Sequence, residues 1–433
     1  CAAMQFRASE VAAATGGHLV GPDVEIDGAG FDTRTLRPGQ LFVPLVADRD
    51  GHDFIPEAIA AGAAAYLTAR PATGGSAIEV ADTLRALVDL ATEQRRAFAG
   101  TVIGITGSVG KTSTKDMAWS ALAASVRTTA NERSFNNEQG LPTTILNRPD
   151  DVDVMVLEMG MRGFGEIEQL CRIAAPHVGV VTRVAEAHSD RVDGIDGVAR
   201  AKAELIAALP ADGIAILNGD DERVRPMRRL TSARCLLFGE SADADVRVSG
   251  VVLDDLARAS FTVDTPWGAA AVRLSISGRH MALNAAAALA CVGAVGGDLA
   301  AGAAALTGVG LTAMRMQVDR AKSGALILND AYNANPTSMR AAIDALLDLP
   351  ARRRVAIVGV MAEISDAEAE HRAIARYAAD RGVELIVVDT DLYGIAPSVD
   401  AAAALGVLSG DDAVLVKGSR VAGLERIAAL LVA

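Results

Sequence analysis

Residues Gly104–Asp116 read GITGSVGKTSTKD. The stretch continues TVIGIT (Thr101–Thr106), a run of β-branched residues with the look of a buried strand, and it leads into an Ala-rich helix from about Thr112. Strand, glycine loop and helix in that order suit a bound phosphate. Gly107 and Gly110 let the backbone approach phosphate oxygens, with Ser108 and Val109 between them, while amides at the helix N-terminus point at the anion. Lys111 would supply a compact charge to the β and γ phosphates, and the hydroxyl of Thr112 or Ser113 could ligate Mg²⁺. The spacing departs from G-x-x-x-x-G-K-[ST], because the position five before Gly110 is Ile105. The alternative is a glycine-rich strand-to-helix turn with no ligand.

Downstream, three more buried-type strands are expected: VDVMVLE ending at Glu158, VGVVTRV ending at Val184 and GIAILN ending at Asn218. Strands that alternate with helices predict a mainly parallel sheet. The turn-rich, alternating stretch Val246–Ile276 predicts antiparallel strands appended to it. After the helical HMALNAAAALACVGAV the pattern restarts with ALILND, RVAIVGV, ELIVVD and AVLVKG, which predicts a Rossmann-like domain. Upstream, QLFVPL and AAAYLTA flank the helical IPEAIAAGA, a small α/β unit. The expectation is an α/β protein of three domains: an N-terminal one at 1–97, a central P-loop-type parallel sheet at 98–311 and a C-terminal one at 312–433. A chain of 433 residues is too long for one core, since single cores seldom exceed about 250–300 residues.

The net charge of −13 excludes a general affinity for nucleic acid, which depends on Lys and Arg neutralising phosphates. Four cysteines, Cys1, Cys171, Cys235 and Cys291, have no metal-binding spacing and suit a reducing, cytoplasmic setting. No apolar run reaches membrane-spanning length, and CAAMQFRASE lacks the regions of a signal peptide, Met4 being the expected start.

Ligands of open parallel sheets bind beyond the carboxyl ends of the strands. Glu158 ends one strand among Val156, Leu157 and Met159, and His188 lies four residues past another. A strand-end carboxylate beside a phosphate loop suits Mg²⁺, although either residue could simply be solvated. In GVARAKAELIAAL (Gly197–Leu209), Val198, Ala201, Leu205 and Leu209 form one stripe, and Lys202 falls inside it. Either its ammonium snorkels to water or its charge is answered or changed. Carbamylation by CO₂ would turn it into an anionic oxygen ligand.

With these residues in view, the chain resembles the Mur ligases, ATP-dependent amide-bond-forming enzymes of peptidoglycan synthesis. The family loop G-x-T-G-[ST]-x-G-K-[TS]-[ST] is matched by Gly104, Thr106, Gly107, Ser108, Gly110, Lys111, Thr112 and Ser113. SFNNEQGLPTTIL (Ser134–Leu146), EMGMRGFGEI (Glu158–Ile167), NDAYNANPTSM (Asn329–Met339) and VLVKGSR (Val414–Arg420) are most similar to the branch that adds D-alanyl-D-alanine to UDP-N-acetylmuramoyl-tripeptide. The resemblance implies that Lys111 contacts ATP phosphates, that Glu158 and His188 ligate Mg²⁺, and that Lys202 is carbamylated. It implies ATP contacts for Asn284, Arg315 and Asp330, with Tyr332, Asn333 and Asn335 in the adjoining motif. Thr33 and Arg34, in DTRTLRPGQLF, would lie near UDP, and Asn136 and Asn137 would face the muramoyl-peptide. The implied substrates are small molecules and the implied state is monomeric.

Three positions depart from the family: Thr33 where serine is usual, Val360 where an acid is frequent, and Arg183 where asparagine is usual. Other readings are a Mur-type ligase for a different amine, such as meso-diaminopimelate, a P-loop NTPase and a catalytically silent paralogue. The absence of a D-N-P-R segment weighs against the first.

Overall fold

The computed structural model describes residues 4–132, 135–186 and 192–432. The chain divides into two compact units, Cys1–Gly104 with Val126–Gly160 and Ile167–His177, and Ile105–Ser125 with Met161–Glu166 and Val178–Ala433.

In the first unit, β1 (Gln5–Arg7) pairs antiparallel with β3 (Glu25–Asp27). β2 (His18–Val20), β4 (Ala29–Gly30), β5 (Leu41–Phe42), β6 (Ala65–Thr68) and β7 (Ala77–Glu79) form a sheet of order β2-β7-β6-β5-β4, parallel except for β2. Phe42, Ile55, Ala58, Tyr66 and Ala77 pack together on it. Helix Thr83–Ala97 begins where Asp82 accepts the Arg85 N–H, and it buries Thr83, Ala86, Leu87, Leu90 and Ala91, one stripe at helical spacing. Its last-turn Arg95 donates to Ala175 O at 2.8 Å, placing positive charge at the C-terminus of helix Glu166–Ala174. The unit also holds Thr101–Gly104 of β8 (Thr101–Thr106), then β9 (Thr128–Ala130) and β10 (Val154–Glu158), in the order β8-β10-β9.

The second unit takes the end of β8 and continues with β11 (Val178–Val181), β12 (Ile214–Asn218), β13 (Arg234–Gly239), β14 (Val246–Leu253), β15 (Arg258–Thr265) and β16 (Gly268–Ser277), in that lateral order. β11 to β14 run parallel, and β14 to β16 are antiparallel. β11 is wholly buried, as a parallel strand covered on both faces should be, whereas β15 alternates buried and exposed residues. Helix Lys111–Ala123 packs on helix Met281–Ala294, where Ala282, Ala285, Ala286 and Ala288 are buried. Their small side chains allow the two helices a close approach.

A further sheet holds β17 (Gln317–Arg320), β18 (Leu326–Asn329), β19 (Arg353–Val358), β20 (Glu384–Val387) and β21 (Asp412–Lys417). Its order is β17-β18-β21-β19-β20, parallel except for β17, over a core that includes Ile327, Val355, Ile357, Val414, Val416 and Leu424. The α/β class and the antiparallel extension match the expectation. β9, β13 and β17 were not anticipated. β9 and β17 are short edge strands of polar or small residues, so neither carries an apolar run.

Candidate functional site

β8 ends at Thr106, and the chain turns through Gly107–Gly110 into helix Lys111–Ala123. Two positions in this turn require glycine. Gly107 has φ +152°, and a Cβ there would meet Thr182 Oγ1 at 1.9 Å, while Gly110 has φ +85° and its Cβ would meet Asn284 Oδ1 at 2.7 Å. The chain leaving β11 moulds the loop: Thr182 donates its hydroxyl to Val109 O at 2.6 Å, and Ser108 donates its amide to Arg183 O at 2.6 Å and its hydroxyl to Ala185 O at 2.9 Å. Lys111 Nζ donates to Gly107 O at 2.7 Å, curling back over the loop. Thr112 and Ser113 are buried in the first helical turn, where the helix dipole favours an anion.

Lys202 lies on helix Gly194–Ala207 among buried Val198, Ala201, Leu205 and Ile206, so the stripe read from the sequence is real. The residue is 2% exposed and does not snorkel. Burial, and then the charge of Lys111, hold its pKa well below the ordinary lysine value, which favours a neutral amine. On the same helix, Glu204 Oε1 accepts the Gly165 N–H at 2.8 Å and Arg200 stacks 5.4 Å from the Phe164 ring centroid, both off the buried stripe.

In the first unit, Glu158 is buried at the end of β10. Asn136 Nδ2 donates to its Oε1 at 2.7 Å, and its backbone N–H donates to Asn131 Oδ1 at 2.9 Å. Asn137 acts locally, its Oδ1 accepting the Gly140 N–H at 2.9 Å at the start of helix Gly140–Leu146. Arg34 is exposed, and its guanidinium and backbone amide both reach the carboxylate of Asp32, which folds the Asp32–Arg34 turn around Thr33. His188 lies outside the described residues. Among the described residues no three His, Cys, Asp or Glu side chains gather as a metal site.

A second group of expected residues assembles in the second unit. Arg315 lies over the Tyr332 ring at 4.2 Å, and Asp330 accepts the Met316 N–H at 3.1 Å through Oδ1 and pairs with Lys417 through Oδ2. Lys417 also donates to Asn333 O at 2.8 Å. Asn335 caps helix Pro336–Leu347, accepting the Ser338 N–H at 2.8 Å. Sequence reasoning missed Thr182, Asp116 and Lys417. A signal existed for Lys417, which ends the apolar run Val414–Val416 just as Glu158 ends its own. Thr182 and Asp116 carried none, because their roles are contacts with residues distant in sequence.

Residues 105–292 match the Mur ligase middle domain, and residues 314–420 match the Mur ligase, glutamate ligase domain. The chain is 39% identical to the UDP-N-acetylmuramoyl-tripeptide–D-alanyl-D-alanine ligase of Mycobacterium tuberculosis, over 93% of this chain and 91% of that protein. It is 34% identical to the Escherichia coli ligase of the same name, over 95% of each. Among solved structures, MurF from Acinetobacter baumannii superposes with a TM-score of 0.90 at 30% identity, covering 100% of both chains. The MurF ligase of Thermotoga maritima in complex with ADP gives 0.82 at 28% identity, over 93% of this chain and 96% of that one. Relatives at this identity, aligned over nearly the whole length, show that the chain belongs to the Mur ligase family.

Proposed function

We propose that this chain is an ATP-dependent ligase that adds D-alanyl-D-alanine to UDP-N-acetylmuramoyl-tripeptide in peptidoglycan synthesis. The observation that carries this reading is the 39% identity to a ligase of that name, over 93% of the chain, with the phosphate loop intact. The substrate carboxylate attacks the γ-phosphorus of ATP, giving an acyl phosphate and ADP. The amine of the dipeptide then adds to the acyl carbon, and the tetrahedral adduct collapses to the amide as phosphate leaves and the amine loses its proton.

The protein's contribution is alignment and charge neutralisation. The loop Gly107–Ser113 receives the phosphates, the amides from Val109 to Thr112 cradling their oxygens, and Lys111 exchanges its bond to Gly107 O for the β and γ phosphates. Asn284 borders the loop at Gly110, and Arg315, Asp330, Tyr332 and Asn333 form the neighbouring nucleotide contacts. Thr33 and Arg34 serve the uridine nucleotide, and Asn136, Asn137 and Asn335 serve the peptide substrates.

Buried hydroxyls and a carboxylate are hard oxygen donors of the sort Mg²⁺ takes. Thr112, Ser113, Glu158, His188 and a carbamylated Lys202 would hold that ion, which when bound neutralises charge on the transferred phosphoryl group. Burial lowers the Lys202 pKa and so favours an unprotonated amine, whose lone pair can add to CO₂ with loss of one proton; this supports the carbamate. A bicarbonate-derived ¹³C carbamate resonance that vanishes in Lys202→Met tests this. The proposed domain boundaries are 97/98 and 311/312; the matches to the middle domain at 105–292 and to the glutamate ligase domain at 314–420 support a central and a C-terminal domain. No described helix is long and apolar enough to cross a membrane, and the proposed setting is a cytoplasmic monomer.

The test is phosphate release from ATP. It should require both UDP-N-acetylmuramoyl-tripeptide and D-alanyl-D-alanine, and release unaffected by leaving out the dipeptide sinks the reading.

A further inference from the structure

Beyond the phosphate loop, helix Lys111–Ala123 carries a buried ion pair with no part in the chemistry above. Lys115 is 3% exposed and Asp116 is 7% exposed, and Lys115 Nζ lies 2.8 Å from Asp116 Oδ1. The other oxygen of Asp116 turns to a distant segment. Asp116 Oδ2 accepts the Thr312 N–H at 2.8 Å and the Thr312 hydroxyl at 2.9 Å. Asp116 is one turn beyond Thr112 on the same helical face.

Thr312 opens a short connection to β17, and that connection is conformationally unusual. Met314 has φ +62° and Met316 has φ +51°, both in the left-handed region that residues with a side chain rarely adopt. Such backbone persists only when its surroundings over-determine it. The restraints are on view: the Tyr332 N–H donates to Met314 O at 3.3 Å, and the Met316 N–H donates to Asp330 Oδ1 at 3.1 Å. Between the two left-handed residues sits Arg315, stacked on Tyr332, its Nε buried and without a hydrogen-bond partner among the described residues. The strained segment is therefore held by Asp116 at its start and by Asp330 at its end, with one arginine displayed between.

We infer that Asp116 is a positioning residue that clasps Thr312 to the phosphate-loop helix, so that the Thr312–Met316 segment presents Arg315 to the nucleotide bound at that loop. This rests on the reading of the loop as an ATP site. An aspartate suits this role because one oxygen can neutralise Lys115 while the other takes both donors of Thr312. The ammonium of Lys115, 2.8 Å from Oδ1, orients that carboxylate. The left-handed turns convert a contact at Thr312 into a defined direction at Arg315, three residues on.

The test is a double-mutant cycle on ADP affinity, measured by titration calorimetry on the full chain. Thr312→Val keeps the shape and the ion pair but deletes one bond to Asp116. It should weaken ADP binding by roughly tenfold to a hundredfold, the worth of one hydrogen bond to a charged group. Asp116→Asn should act in the same direction. Arg315→Ala should weaken binding too, and in an Arg315→Ala background the Thr312→Val effect should disappear, because the clasp acts only through that arginine. Equal Thr312→Val effects in both backgrounds overturn the clasp, while ADP binding by the unsubstituted protein keeps the ATP-site reading intact. No ADP binding by the unsubstituted protein overturns that reading, and the clasp with it.

Discussion

Asn136 Nδ2 donates to Glu158 Oε1 at 2.7 Å, joining a residue expected to face the peptide substrate to one expected to ligate a metal. The pair sits at the buried end of β10, with Asn131 bonded to the Glu158 backbone alongside. A carboxylate there is oriented before any ligand arrives. Glu158→Gln should keep the fold and lower kcat for phosphate release by about 100-fold or more, since it removes charge where charge must be balanced. Asn136→Ala should instead cost about 1–3 kcal/mol of stability through loss of a donor to a buried carboxylate. Urea unfolding and steady-state phosphate release separate the two outcomes. A Glu158→Gln protein with near-normal turnover removes Glu158 from the site.

The phosphate loop admits no side chain at Gly107 or Gly110. Gly107→Ala would place a methyl 1.9 Å from Thr182 Oγ1 in an unfavourable backbone conformation, and Gly110→Ala would crowd Asn284. Each should weaken ADP binding at least tenfold and cost about 1–3 kcal/mol of stability. Gly308→Ala, with nothing within 4 Å of the new methyl, is the control and should bind ADP normally. Equal behaviour of Gly107→Ala and Gly308→Ala refutes the steric argument.

Lys202 makes stability depend on pH in a defined sense. Its folded pKa is lowered from 10.5 by burial first and by Lys111 second, so between the folded value and 10.5 the unfolded chain binds more protons. Stability therefore rises with pH across that window, and the cost of burying the group is fully present below it. In bicarbonate-free buffer, Lys202→Met should be more stable than the unsubstituted protein at neutral pH, with the gain shrinking toward pH 10.5, and it should be inactive. Thermal melts from pH 6.5 to about 10 would reveal this slope. A methionine variant less stable than its parent contradicts it.

Two ion pairs of the C-terminal sheet should differ sharply in worth. Lys417, 1% exposed, pairs with Asp330, so Asp330→Ala strands a buried ammonium and should cost about 3–5 kcal/mol. Arg353 and Glu384 meet at 2.8 Å in the open, with side chains 33% and 56% exposed, and Glu384→Ala should cost no more than about 1 kcal/mol. Comparable losses in the two variants count against a desolvated Lys417–Asp330 pair.

Local pattern made much of the molecule legible. The buried-type strand, the glycine loop and the G-K-T-S run need only neighbouring residues, so the strand, turn and helix around Gly107–Ser113 could be read. The stripe through Val198, Ala201 and Leu205 likewise placed Lys202 in the interior, because a helix fixes which residues share a face. Tertiary structure decided what lies far apart in the chain. Thr182 against Val109, Asp116 against Thr312, and Lys417 against Asp330 are separated by 73, 196 and 87 residues, and hydrogen bonds at such separations leave no periodic mark. The sequence determined the α/β class and the phosphate-binding chemistry. Only the folded chain decided which polar groups pair in the interior, because that depends on which elements the sheets bring within hydrogen-bond reach.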